Sequence, residues 1–169
     1  SIDFFDNNLV VAVGHNIGGP GSSYDDYIIK SLDGGATWSE IHFVNHPYGG
    51  FERVTFVTPD TGFVGTIWGI LKSTDGGICW NLNQSLKQYA PCLYFTDALN
   101  GFACNSYGQI VSTSNGGTTW IFVTEPNTFP IFKSIHFFNE TDGLVIAISD
   151  SICILRTTDS GATWSTVSI

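Results

Sequence analysis

Apolar and polar residues alternate in four short stretches of the chain, at Ile2 and Phe4, Val54 and Phe56, Leu93 and Phe95, and Ile135 and Phe137. Alternation at period two marks a strand with two distinct faces. Each stretch runs into a cluster rich in Asp, Asn, Gly and Thr, and each cluster opens into a run that is nearly all apolar or small. These runs are Leu9 to Val13, Phe63 to Thr66, Phe102 to Asn105 and Leu144 to Ile148, and they predict second strands covered on both faces. Third strands are predicted at Tyr27 to Ser31, Ile70 to Ser73, Ile110 to Ser112 and Cys153 to Thr157, and fourth strands begin at Trp38, Trp80, Trp120 and Trp164. No segment shows helical periodicity, so the chain reads as all-β.

The four tryptophans lie 42, 40 and 44 residues apart, and each closes the same eight-residue figure: 31–38, 73–80, 113–120 and 157–164. A fixed period of about 40 residues means that one period is one structural unit. In each copy a Ser/Thr-x-Asp-Gly-Gly cluster reverses the chain between the third and fourth strands. Asp accepts hydrogen bonds from the turn's own N–H groups, and glycine takes positive φ at no steric cost. Copy three has Asn115 for Asp, copy four has Ser160 for the first Gly, and copy two has Cys79 where the others have Thr.

The figure Ser/Thr-x-Asp-x-Gly-x-Thr-Trp resembles the Asp-box, or bacterial neuraminidase repeat, and the resemblance spans the whole chain. It implies a β-propeller domain over 1–169 with blades at about 1–50, 51–90, 91–131 and 132–169. A four-bladed ring, half of a dimeric ring and part of a larger propeller all remain open. The resemblance also makes the box a structural staple on the face away from any binding site. Asp33, Trp38, Asp75, Trp80, Asn115, Trp120, Asp159 and Trp164 are therefore expected to hold turns, each Trp burying its ring. The phrases at 61–65 and 69–77 are similar to repeats of the photosystem II assembly and stability factor type and of secreted bacterial propellers. That likeness implies a non-enzymatic scaffold that holds a protein partner.

Charge narrows the partners. Fifteen acidic residues against six Lys and Arg give a net charge of −9, which opposes nucleic acid and anionic membrane surfaces. No stretch is apolar enough to insert into a membrane as a helix. The low charged fraction, 12%, suggests a secreted or periplasmic protein. Ser1 to Val13 already reads as strand, so a removed leader or an excised part of a longer chain is expected. The four cysteines show no C-x-x-C spacing; buried free thiols are the expectation, with Cys92 and Cys104 on adjacent strands and able to pair.

In a propeller the strand 2–3 turns and the linkers between blades share the face opposite the boxes. They carry His15, Tyr24, Asp25, Asp26, His46, Tyr48, Trp68, Tyr89, Tyr107 and Asp150, and also Phe129. Aromatic rings with a few carboxylates suit a protein interface or sugar stacking. The segment from His15 to Asp26 is the longest of these turns and the expected carrier of function. Sialidases, as the resemblance has it, grip the substrate carboxylate with three arginines. This chain has only Arg53 and Arg156, which excludes that activity for it. Asp25 or Asp26 with Asp150 is the one carboxylate pair that a glycosidase could use. No metal or cofactor motif is present. The expected function is a non-catalytic interaction or assembly module for a protein partner, with homo-oligomerisation open; the alternative is a carbohydrate-binding module or a segment of a non-sialidase glycoside hydrolase.

Overall fold

A computed structural model describes residues 1–16, 25–42, 50–83, 90–105, 107–123, 131–148 and 152–167. Its described elements are sixteen strands in four antiparallel four-stranded sheets, each in simple chain order. Blade 1 holds β1 (Ile2–Phe4), β2 (Val10–Asn16), β3 (Asp25–Ser31) and β4 (Ser39–His42). Blade 2 holds β5 (Phe51–Phe56), β6 (Gly62–Thr66), β7 (Gly69–Ser73) and β8 (Asn81–Leu82). Blade 3 holds β9 (Cys92–Phe95), β10 (Gly101–Cys104), β11 (Ile110–Thr113) and β12 (Ile121–Phe122). Blade 4 holds β13 (Ile131–Phe137), β14 (Gly143–Ile148), β15 (Ile152–Thr157) and β16 (Ser165–Val167). The period-two stretches are the first strands, as the alternation requires; β5 alternates between buried and more exposed positions along most of its length.

The chain forms two compact units, 1–88 and 89–169, of two blades each. In the first, Val11, Val13 and Ile28 of blade 1 pack on Val54, Phe56, Leu71 and Trp80 of blade 2. In the second, Phe102, Cys104 and Ile110 of blade 3 pack on Phe132, Phe137, Val145 and Leu155 of blade 4. Polar ties cross the same seams. The Phe56 N–H donates to Asp3 Oδ2 at 2.8 Å, and the Tyr94 hydroxyl donates to the Phe137 carbonyl at 3.0 Å. The Lys30 ammonium reaches the Gly76 carbonyl.

Three expectations are corrected here. Second strands are buried on both faces in β6 and β10, but β14 alternates and exposes Ile146 and Ile148. The base of the 15–26 segment is strand and not loop: β2 and β3 continue their ladder through His15↔Asp26 and Asn16↔Asp25. The cysteines are not four buried thiols. Cys92 and Cys104 face each other across β9 and β10 and form a disulfide with a Cα–Cα distance of 5.1 Å, while Cys79 is exposed and Cys153 half-buried.

Candidate functional site

The boxes repeat one hydrogen-bond pattern four times. Ser31 Oγ donates to Asp33 Oδ1 at 2.7 Å and accepts from the Gly35 N–H at 2.8 Å. Asp33 in turn accepts the Thr37 N–H and hydroxyl at 2.8 and 2.6 Å. Ser73 with Asp75, Thr113 with Asn115 and Thr157 with Asp159 make the same first link. Asn115 reverses the last one, its Nδ2 donating to Thr119 Oγ1 at 2.8 Å. The donors hold Asp33 at a pKa of about 2, chiefly through the Thr37 hydroxyl, and Asp159 at about 2 through that of Thr163. Asp33 and Asp159 thus engage both carboxylate oxygens with their own turns, and a carboxyl held at about 2 is ionised near neutral pH and is no general acid there.

Box tryptophans also donate back, Trp38 to Gly35, Trp80 to Gly77 and Trp164 to Gly161, at 2.9–3.1 Å. Trp120 is different, its buried Nε1 having no partner among the described residues. The expectation that every ring is buried needs correction at Trp38, which is 42% exposed, and in part at Trp164, which is half-buried.

At the other end of the sheets, two turns present aromatic rings. In blade 2 the turn is held from within: Thr66 Oγ1 donates to the Gly69 carbonyl and accepts the Trp68 N–H at 3.0 Å. Ile67 and Trp68 are carried at its tip, the indole 49% exposed. In blade 3 the buried Asn105 accepts the N–H groups of Tyr107 and Gln109 at 2.9 and 3.0 Å, and its amide nitrogen donates to Gln109 Oε1. Tyr107 stands on that turn 65% exposed. An amide that satisfies two turn donors fixes the loop without spending the ring.

His15 and Asp26 sit side by side on β2 and β3 but differ in role. His15 is exposed, with Nδ1 3.4 Å from the Phe51 carbonyl. Asp26 is buried, and its Oδ1 accepts the Gly50 N–H at 2.8 Å. Gly50 has φ +88, and a Cβ there would meet Ile67 at 2.7 Å, so Asp26, Gly50 and Ile67 together fix the entry to blade 2. Tyr24, His46, Tyr48, Tyr89, Phe129, Asp150 and the side chain of Asp25 lie outside the described residues, as does the 17–24 tip. Of the carboxylates considered for glycoside hydrolysis, the described one, Asp26, is thus committed to the backbone. Arg53 points to solvent and Arg156 pairs with Asp142 at 3.0 Å. Sequence reasoning missed Ile67, Thr66 and Asn105; a Thr or Asn opening each short turn is the signal that could have found the last two.

No protein-family model matches the sequence, and no curated protein sequence matches it. Solved structures do. The GH74 xyloglucanase from Xanthomonas campestris superposes with a TM-score of 0.76 at 12% identity, over 96% of this chain and 29% of that one. YCF48 bound to D1 peptide gives 0.59 at 18% identity, over 73% and 41%. YCF48 from Cyanidioschyzon merolae gives 0.57 at 14%, over 98% and 83%. The fold is that of a β-propeller. The propeller's chain spans less than half the length of the first two structures, and at these identities the likeness is one of fold alone.

Proposed function

We propose that this propeller is a secreted or periplasmic, non-catalytic module that holds a protein partner through its strand 2–3 turns. The observation that carries the reading is made in each unit by itself: an internally braced turn exposes Trp68 with Ile67 in the first, and another exposes Tyr107 in the second. Rigid, half-exposed aromatics supply contact area at little cost in conformational entropy and are the residue types that dominate binding energy at interfaces. The engagement of Asp26 with Gly50 favours a binding role over a hydrolytic one. A fold shared with YCF48 bound to D1 peptide lends support, since such a scaffold is compatible with peptide capture.

The test is selection of a displayed random-peptide library on the purified protein, with enriched peptides titrated against wild type, Trp68→Ala and Tyr107→Ala. Loss of about 2 kcal/mol of binding in one variant, the scale of a hot-spot residue, with thermal unfolding unchanged, supports the reading. No enrichment, or binding indifferent to both variants, refutes it. The exposed indole is also a stacking platform for a sugar ring. Xyloglucan oligosaccharides are therefore the second arm, and binding of them lost in Trp68→Ala would move the assignment to a carbohydrate-binding module.

A further inference from the structure

A cleft of about 780 Å³ opens between blades 3 and 4 at the box end of the second unit. Its walls include Asp97, Ser112 and Ile121 of blade 3, and Glu140, Asp159 and Ser160 of blade 4. The repeat explains why it is open. Ser112 pairs with Phe102 and Ile121 in its sheet, the register at which blade 1 has Lys30, blade 2 Lys72 and blade 4 Arg156. In the first unit the Lys30 ammonium crosses the seam to the carbonyl of Gly76, the first glycine position of the next box. The residue at that box position in blade 4 is Ser160, which lines the cleft. Blade 3 is therefore the copy without a cation at this register, and the space an ammonium fills in the first seam stands open in the second.

Charge agrees with shape. Asp159 is held at a pKa of about 2 by the Thr163 and Thr157 donors, and Asp97 is held below the ordinary carboxylate value by Asn100 and Leu99. With the exposed Glu140 they surround a cleft whose described lining contains no Lys or Arg. Ile121 and Phe122, both more than half exposed, give an aliphatic stem apolar surface to lie on. We infer that this cleft receives a lysine side chain of a protein partner, its ammonium taking the place in the blade 3–4 seam that the Lys30 ammonium takes in the blade 1–2 seam. The site is distinct from the aromatic turns and does not depend on their role.

The experiment uses a short peptide with one central lysine, the same peptide with that lysine Nε-acetylated, and spermidine, each titrated by NMR at low salt. The expected result is saturable binding of the lysine peptide, with shifts confined to residues such as Ser112, Glu140 and Ser160, and none with the acetylated peptide. Glu140→Gln, an exposed change that leaves the core intact, should weaken it about threefold, the scale of one exposed ion pair. Ser112→Lys should abolish it by supplying the cation from within, while unfolding no earlier than wild type. Absence of saturable binding, equal binding of the acetylated peptide, or binding that survives Ser112→Lys in a folded protein would overturn the inference. Tighter binding of spermidine than of the lysine peptide would overturn the protein-lysine assignment in favour of a free polyamine.

Discussion

Val10 faces Phe4 across the β1–β2 ladder, in the place where the other three blades carry glycine. In those blades Gly62, Gly101 and Gly143 lie under the rings of Phe56, Phe95 and Phe137; a Cβ at any of them would come within 2.5–2.9 Å of the ring. Those rings lie flat enough for the box tryptophans to meet them edge-on, as Trp80 does Phe56 at 5.9 Å and Trp164 does Phe137 at 5.8 Å. In blade 1 the valine occupies that space, and Phe4 and Trp38 are left 64% and 42% exposed.

Gly62→Ala should therefore reproduce the blade 1 arrangement in blade 2. Forcing a methyl against a packed ring costs about 1–3 kcal/mol, and Trp80 should emit at longer wavelength as its Phe56 partner is displaced. Trp80→Ala should cost about 3 kcal/mol or more, and Trp38→Ala distinctly less. Equal losses at the two tryptophans in denaturant titrations would contradict this account of the staple.

Acid should act through the boxes. Asp33 and Asp159 are held at about 2 in the folded chain, and Asp75 is lowered by the Cys79 N–H and the Ser73 hydroxyl. Such a group stabilises the fold fully above its unfolded value, near pH 4, and that contribution is lost as pH falls toward 2. The thermal midpoint should decline over this window. Replacing both Asp33 and Asp159 by Asn, the residue blade 3 uses naturally at Asn115, should make the decline shallower; an unaltered slope would remove the boxes from the explanation.

The cysteines divide into a bond and two free thiols. With its ends twelve positions apart in sequence, the Cys92–Cys104 link is worth about 3 kcal/mol by chain entropy, so reduction should lower the unfolding midpoint of the second unit. Two thiols should titrate with a disulfide reagent in the unreduced, unfolded protein. Cys79 is exposed, yet a hydrogen bond and the charge of Asp75 push its thiol pKa up, and it should react slowly near neutral pH. Asp75→Asn should quicken it, and an unchanged labelling rate in that variant would remove the carboxylate from the explanation.

The fold was legible because its signal is periodic. Four boxes at a fixed spacing identify four turns, and the alternating first strands follow from them in order. What was hidden depends on single departures from the repeat seen only across a seam. Val10 in place of glycine reads as an ordinary strand residue, and only Phe4 standing off it shows the consequence. Ser112 in place of a cation is innocuous in sequence, and only Lys30 bridging to Gly76 shows what it omits. Cys92 and Cys104 could be put on neighbouring strands, but their pairing required the register. The aromatic turns were found through Trp68 and Tyr107, whereas the burial of Asp26 was not, because a carboxylate on a turn-rich segment is usually solvated.

That burial gives a decisive test of role. Asp26 accepts one buried N–H, from Gly50, whose positive φ and contact with Ile67 leave the backbone little room to find another acceptor. Removing the acceptor and leaving a buried donor unsatisfied costs about 1–3 kcal/mol, so Asp26→Ala should show that loss in chemical denaturation. Asp26→Asn retains an oxygen for the Gly50 N–H and should lose less. A residue kept for proton transfer behaves differently: its amide is usually tolerated or even stabilising, since the site no longer confines a charge. Stability unchanged or raised in both variants would return Asp26 to the candidates for chemistry; a graded loss, alanine beyond asparagine, fixes it as the clamp that sets the Ile67–Trp68 turn on blade 2.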